Sequence, residues 1–377
     1  MRKVEDSRRA VAEAVVAAME RDGLSWSREW DSRWTPANAV TGRPYRGLNR
    51  IALAAAGASL DTPDGRWVTY GQAAKAGWHV QKGERASASV EYWTRWCRTH
   101  DGRVVDEARA RELVRDGRED EEILRDARLA PRVTPVFHSG QVSGIPAMAA
   151  HGHAGEPTEL VDALIASSRC PVREARSDEA YYSPSADEIV MPLRAQFKTL
   201  DGYARVLAHE MAHSTAREVG RDASRYADDL SARAHEELVA ELSSAFVCSD
   251  LGLSSAIAAD DPGAQAALSN HAAYVSGWMG ALGDDPDELA RAAAEAQRAA
   301  DAIEARLPPG TTASKTAGKE AGMEDQRELD AKRREEEEAR ERREREERDR
   351  DGRRRQEEHR QAMRRQAARQ RQSQRQR

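Results

Sequence analysis

The charged C-terminal segment limits how much of this 377-residue chain can fold. Residues 324–377 consist almost entirely of Arg, Glu and Gln, and they lack a sustained apolar repeat at heptad positions. Such a composition cannot bury enough apolar surface to offset the conformational entropy lost on folding. We therefore expect a charged low-complexity tail over residues 307–377, either a solvated helix or disordered, and any hydrophobic core must come from the residues before it.

Charge is unevenly distributed along the chain, which indicates separate roles for its segments. The net charge of −6 combines +5 in residues 1–99, −15 in residues 100–323, −3 in residues 324–350 and +7 in residues 351–377. No run of about 18 apolar residues is present, which excludes a transmembrane helix. The 3 cysteines are odd in number and far apart, and they argue against a disulfide framework. We expect a soluble cytoplasmic protein.

The sequence predicts two folded domains of the α+β class. Residues 1–147 are predicted to contain a helix over 3–22, then strand-like runs separated by Gly and Pro turns, and a charged, mostly helical arm at 101–130. The second domain, residues 158–306, is predicted to be mainly helical with a small sheet. Its later helices are expected over residues 200–218, 226–250, 264–282 and 286–306.

The most chemically informative string is His209-Glu210-Met211-Ala212-His213, an HExxH sequence in a helical segment. A spacing of four places both imidazoles on one helix face. Two neutral imidazoles at that spacing suit a tetrahedral Zn²⁺, and another divalent transition metal is also compatible. Glu210 then points at the open coordination position, and it is the predicted general base for the water bound there.

A catalytic zinc site needs a third protein ligand, and the candidates lie on the next amphipathic helix. Glu237 is the predicted ligand. Glu241, one turn later, is predicted to hydrogen-bond a ligand imidazole from behind. His235 and Glu236 remain alternatives for the third ligand. A zinc ion with a purely structural role, and an HExxH string without a metal, are the competing interpretations.

The basic front of the chain is rich in tryptophan. Seven of the 8 Trp residues lie between positions 26 and 96, interleaved with Arg and Lys. Such a surface suits single-stranded nucleic acid, because bases stack on aromatic rings and cations neutralise phosphates. Burial of the same rings in a small hydrophobic core is the alternative interpretation. The Arg-rich end of the tail, residues 353–377, is a further candidate for unspecific nucleic-acid or protein contacts.

Successive blocks of the sequence resemble those of ArdC-type antirestriction proteins. In the front half the blocks are Trp34-Thr35-Pro36-Ala37-Asn38-Ala39, Thr41-Gly42-Arg43-Pro44-Tyr45-Arg46-Gly47-Leu48-Asn49, Trp67-Val68-Thr69-Tyr70-Gly71-Gln72-Ala73 and Lys82-Gly83-Glu84. In the second half they are Asp187-Glu188-Ile189-Val190-Met191-Pro192, the HExxH helix and the segment from Glu236 to Phe246. The resemblance covers residues 10–305.

This resemblance implies an N-terminal single-stranded-DNA-binding domain joined to a zincin-like metallopeptidase domain. Members of the family are carried by conjugative plasmids and phages, and they are linked to protecting incoming DNA from host restriction. Carried over by position, His209, His213 and Glu237 bind the metal and Glu210 is the general base. The expected DNA-binding residues are Trp34, Asn38, Arg43, Tyr45, Arg46, Asn49, Trp67, Tyr70 and Lys82.

The favoured functional hypothesis is therefore a single-stranded-DNA-binding protein with a zinc-dependent metallopeptidase-like domain that protects incoming plasmid or phage DNA. One alternative is a zinc endopeptidase that acts on a host protein and uses the front domain for placement. The other is a non-catalytic DNA-binding or interaction protein with a structural zinc.

Overall fold

The structure is a computed structural model that describes residues 2–22, 35–58, 60, 64–147, 156–221, 229–253, 278–280, 282 and 285–312. These residues belong to a unit that spans Met1–Lys319. No helix in the described part of the chain is long and apolar enough to cross a membrane. The predicted helix over 264–282 lies mostly outside the described residues, and so does the tail beyond residue 312.

A five-stranded sheet forms the framework of the front half. Its strands, in spatial order, are β1 (Ala37–Asn38), β2 (Arg66–Val68), β6 (Arg128–His138), β4 (Ala88–Arg98) and β5 (Val104–Asp106). The long strands β4 and β6 pair antiparallel from Ala88 opposite Val136 to Trp96 opposite Arg128. Two short strands, β3 (His79–Val80) and β7 (Val142–Ser143), form a separate pair.

Five helices accompany this sheet. They are α1 (Arg2–Asp22), α2 (Gly47–Ala58), α3 (Tyr70–Lys75), α4 (Glu107–Arg115) and α5 (Glu122–Arg125). Helix α3 begins at a capping box, in which the Thr69 hydroxyl accepts from the backbone of Gln72 and the Gln72 side chain accepts from the backbone of Thr69. Asp106 caps α4 by accepting from the backbone N–H of Arg109. The charged arm of residues 101–130 is thus made of β5, α4 and α5.

The second half is mainly helical around a small sheet. Its elements are α6 (Pro157–Ala166), β8 (Val172–Ala175), β9 (Tyr181–Ser183), β10 (Glu188–Pro192), α7 (Leu200–Ser214), α8 (Leu230–Leu251) and α9 (Pro286–Glu304). Strand β10 lies in the centre of the sheet, parallel to β8 and antiparallel to β9. The predicted α+β class is confirmed.

The largest hydrophobic core joins the front helices to the helices of the second half. Val15 of α1 and Ile51 of α2 are fully buried in the same cluster as Leu207 of α7, Leu242 of α8 and Ala293 of α9. Helices α1 and α2 therefore complete a core whose other members come from beyond residue 157.

A buried ion pair links the same two halves. The Arg50 guanidinium on α2 donates to both carboxylate oxygens of Asp250 on α8, from Nη1 to Oδ2 at 2.9 Å and from Nη2 to Oδ1 at 3.0 Å. It also lies over the ring of Phe246, with 4.7 Å from Cζ to the ring centroid. Because both charges are buried and their geometry is bidentate, each satisfies the other away from water.

We predict that Arg50→Ala lowers the free energy of unfolding by about 3–5 kcal/mol, because it leaves the Asp250 carboxylate buried without its bidentate partner. Urea denaturation measures this loss. Arg109→Ala, which breaks the exposed pair with Glu112, is the matched control and should cost far less. Equal losses of unfolding free energy in the two variants would show that the buried pair contributes no more to stability than an exposed one.

Candidate metal centre

Helix α7 presents both histidines of the HExxH string to α8. It begins at Thr199, whose hydroxyl accepts from the backbone N–H of Gly202 at 3.0 Å. The helix is buried along most of its length because it lies between β10 and α8. His209 is 1% exposed, and His213, one turn later, lies at the more open end of the same face.

Three possible ligand atoms converge between α7 and α8. The Nε2 atoms of His209 and His213 are 3.1 Å apart. Oε2 of Glu237 lies 3.4 Å from Nε2 of His209 and 3.8 Å from Nε2 of His213. One ligand atom from each of these residues falls within 4.8 Å of the others, which makes the three a possible metal-binding group.

The far side of each imidazole contacts a buried carboxylate of α8. Nδ1 of His209 lies 3.3 Å from Oε2 of Glu241, and Nδ1 of His213 lies 3.1 Å from Oε1 of Glu236. A neutral imidazole that donates from Nδ1 directs the lone pair of Nε2 into the cluster. Two such lone pairs and the Glu237 carboxylate then face one another, and this donor set fits a divalent cation.

Two buried arginines neutralise the supporting carboxylates. Arg205, on α7 one turn before His209, pairs with the carboxylate of Glu241 and donates to its backbone carbonyl at 2.9 Å. Arg221 lies 3.1 Å from Oε1 of Glu236. Each imidazole is therefore backed by a carboxylate, and each carboxylate by a guanidinium. Sequence reasoning missed both arginines, although Arg205 continues the i, i+4 line of the two histidines.

The titration behaviour of the cluster reflects its density of charge. Burial lowers the pKa of His213, but the Glu237 and Glu236 carboxylates outweigh it and raise that pKa well above the ordinary value. The pKa of His209 is raised in the same way by Glu237 and Glu241 against burial. Burial raises the pKa of Glu237, but the two imidazoles hold it well below its ordinary range. The cluster thus favours positive charge at its centre.

Glu210 lies on the same helix with its carboxylate fixed by the neighbouring sheet. It is 3% exposed, and its Oε2 accepts a hydrogen bond from the backbone N–H of Tyr182 in β9 at 2.8 Å. The contact fixes the orientation of the carboxylate.

The two alternative third ligands lie elsewhere. His235 contacts the carboxylates of Glu288 and Glu295 on α9, at 2.5 and 3.2 Å. Glu236 lies against Nδ1 of His213, on the side of the ring that faces away from His209. Among the described residues, Glu237 is therefore the α8 carboxylate that faces both Nε2 atoms.

The predicted DNA-binding residues do not form one surface. Trp67 is 1% exposed and packs against Leu53, Val90 and Val136. Its prediction as a DNA-binding residue is wrong, because a ring in the core cannot stack on a base. Trp34 lies outside the described residues.

Several of the other predicted residues make internal contacts. Asn49 holds the edge of β4, since its side chain exchanges hydrogen bonds of 2.6 and 2.7 Å with the backbone of Glu91. Asn38 accepts from the backbone N–H groups of Val40 and Thr41 and donates to the Tyr45 hydroxyl.

The remaining predicted residues are on the surface or close to it. Arg46 pairs with Asp301 of α9, and Tyr45 is half-buried. The exposed members of the set are Arg43, Arg46, Tyr70 and Lys82, of which Arg46 is the one paired with Asp301.

Two protein families match the chain in separate segments. The N-terminal domain of anti-restriction factor ArdC matches residues 5–137, and a zincin-like metallopeptidase family matches residues 159–295. An uncharacterized protein, y4eC, of Sinorhizobium fredii is 32% identical over 309 residues, which cover 78% of this chain and 91% of that protein.

Longer relatives and solved structures also match. Two DNA primase TraC proteins of Escherichia coli are 31% and 33% identical over 78% of this chain, which spans only 26% and 19% of their lengths. The metal-free crystal structure of antirestriction ArdC from plasmid R388 superposes with a TM-score of 0.60 and 29% identity, covering 80% of this chain and 97% of that one. Its Mn(II)-bound structure gives a TM-score of 0.58 at the same identity, covering 79% and 97%.

We predict that metal binding releases protons at neutral pH. The raised pKa values of His209 and His213 keep the metal-free cluster protonated, and binding requires neutral imidazoles, so the apparent affinity should rise as pH increases. Titration calorimetry with Zn²⁺, in buffers of different ionisation enthalpy, measures the protons released. His213→Ala is expected to abolish stoichiometric binding, whereas His100→Ala at an exposed site should not. Binding without proton release would contradict the charge state inferred for the cluster.

Proposed function

The chain belongs to the ArdC-type antirestriction proteins, and on that premise we propose that it binds single-stranded DNA and carries a zinc-dependent metallopeptidase-like centre. In this proposal it protects incoming plasmid or phage DNA from host restriction. The observation that carries the catalytic part is the convergence of His209, His213 and Glu237 beside Glu210. The match of residues 5–137 to the ArdC N-terminal domain supports the DNA-binding part.

The centre has the groups that peptide hydrolysis requires. A divalent metal held by His209, His213 and Glu237 would act as a Lewis acid on a water molecule and a substrate carbonyl. Glu210 serves as the general base, because its buried carboxylate follows His209 directly on α7 and is oriented by the Tyr182 N–H. With Oε2 engaged by that N–H, Oε1 is the oxygen that takes the proton of the attacking water and passes it to the leaving amine.

The supporting groups fix the imidazoles during these transfers. Glu241 and Glu236 hold the Nδ1 sides, so neither ring can rotate its Nε2 away from the centre. Arg205 and Arg221 hold those two carboxylates in place, because each buried guanidinium pairs with one of them. A peptidase centre acts on proteins, so a host protein is the proposed substrate class. Cleavage of that protein would be a second activity beside the binding of DNA.

We predict that Glu210→Gln keeps the metal and loses hydrolysis. Glutamine retains an oxygen that accepts from the Tyr182 N–H, but it has no basic oxygen, so peptide cleavage should fall by at least ~100-fold. Zinc content is measured on the same sample as cleavage of a protein or peptide library. Unchanged cleavage by Glu210→Gln would reject Glu210 as the base. Absence of cleavage by the metal-loaded wild-type protein, with antirestriction intact, would favour the non-catalytic alternative.

We predict that the protein prefers single-stranded DNA to duplex. Fluorescence anisotropy of a short labelled single strand, with unlabelled duplex as competitor, measures the preference. Binding should weaken between 50 and 200 mM salt, because phosphate contacts release counterions. Equal competition by duplex, or affinity that is independent of salt, would refute the single-strand part of the proposal.

A further inference from the structure

One face of the front sheet combines an exposed tyrosine and a half-buried tryptophan with arginines. Side chains at every second position of a strand share a face, and pairing carries that face across to the neighbouring strand. The residues Tyr92, Trp96 and Arg98 of β4 share a face with their cross-strand neighbours Arg132 and Arg128 of β6. We call these five residues the hairpin platform.

Side-chain contacts agree with this assignment of the face. The Tyr92 hydroxyl accepts a hydrogen bond of 3.2 Å from the Thr134 hydroxyl on β6. The Arg132 guanidinium lies over the Trp96 ring, 5.7 Å from its centroid, and also pairs with Asp106 of β5. Arg132 therefore contacts one side of the half-buried Trp96 ring, and a base would stack on the other, outer side.

The hairpin platform is accessible and carries an excess of positive charge. Tyr92 is 42% exposed, and Arg98 and Arg128 are also exposed. Asp106 offsets the charge of Arg132, so Arg98 and Arg128 supply the excess positive charge. These aromatic and basic side chains are not part of the buried cluster of this sheet. That cluster lies around Trp67, at the other end of the strands.

The opposite face of the same strands has a different character. Near its end it is covered by α4 and α5, which pack on Cys97 through Ala110 and Ile123. The segment of residues 107–126 that forms this cover has eight acidic residues against five basic ones. Phosphates are repelled from the covered side, so the charge distribution selects the hairpin platform.

We propose that the hairpin platform is the surface on which single-stranded DNA binds, which rests on the DNA-binding function proposed above. One base stacks on Tyr92 and another on the outer side of Trp96, about 13 Å further along the strand at ~3.3 Å per residue. Arg98 and Arg128 neutralise the phosphates between and beyond them. Stacking accepts every base, so the platform fits a single strand of any sequence and excludes a duplex, whose bases are already stacked.

The exposed residues Arg43, Tyr70 and Lys82 are the rival candidates for DNA contact. They come from the family blocks, and Tyr70 is 66% exposed. Its ring lies 6.5 Å from that of Phe137, but none of the three residues belongs to the face defined by Tyr92 and Trp96. The same binding assay distinguishes these candidates from the hairpin platform.

The test uses the full-length protein, a labelled oligothymidylate and fluorescence anisotropy. Trp96→Ala and Tyr92→Ala are each expected to weaken binding at least five-fold, from the loss of one stacked base. Arg128→Ala should weaken binding and reduce the slope of log affinity against log salt by about one. The control is Trp93→Ala, which removes a tryptophan that is 60% exposed, follows Tyr92 in the same strand and lies on the opposite face.

Each outcome has a distinct meaning. Loss with Trp96→Ala and Tyr92→Ala, but not with Trp93→Ala or Tyr70→Ala, supports the hairpin platform. Loss confined to Tyr70→Ala or Trp93→Ala overturns it while leaving single-strand binding intact. Absence of single-strand binding by the wild-type protein overturns both the platform and the proposed DNA function. Thermal melts of each variant check that it is folded. Trp96→Phe keeps an aromatic ring and should therefore retain binding that Trp96→Ala loses. Arg128 is exposed, so Arg128→Ala removes no atom from the core.

Discussion

The packing of α7 on α8 depends on how buried carboxylates are satisfied. Glu236, Glu237 and Glu241 all enter the space between these helices, and an isolated buried carboxylate would cost several kcal/mol. Two of the carboxylates are each paired with an arginine on one side and a histidine on the other, and we call each such chain of contacts a relay. One relay runs from Arg205 through Glu241 to His209, and the other from Arg221 through Glu236 to His213. Shifting α8 by one turn would break both relays at once, so the charges fix the register of the helices more specifically than apolar packing could.

The same relays explain why the centre suits a cation. Each relay ends in an Nε2 lone pair, and the third carboxylate, Glu237, has both imidazoles as neighbours. The carboxylates around the two histidines raise the pKa values of both rings, so the centre favours positive charge. A metal ion held by the two Nε2 atoms and Glu237 would supply that charge, with the carboxylates and guanidinia behind the rings as its supporting groups.

Sequence patterns predicted the parts of this protein that follow a helical period. The HExxH spacing and the α8 stripe place His209, His213 and Glu237 together because both elements are regular helices. Arg221 follows α7 in a segment without helical periodicity. Its pairing with Glu236 therefore could not be predicted from the spacing of residues in the sequence. The α+β class followed from alternating strand patterns and the helical second half.

Tryptophan positions were the least predictable feature. Trp67 and Trp93 both occupy strands, and their local sequences do not show which is covered. Helix α2 packs Leu53 onto Trp67, whereas Trp93 lies on the opposite face of the sheet and is exposed. Burial of these rings is decided by tertiary neighbours, which a family block or a composition count does not contain.

The core that α1 and α2 share with α7, α8 and α9 has a consequence for how the protein behaves as a whole. If the chain were cut between its two halves, the front fragment would expose Val15 and Ile51 and the second fragment would expose Leu207. Neither fragment would then have a complete hydrophobic core. Unfolding should then be a single cooperative event, and any ligand of one half contributes its binding free energy to the persistence of the other. The proposed binding of DNA and of a metal would thereby be coupled through stability alone, without requiring any change of shape.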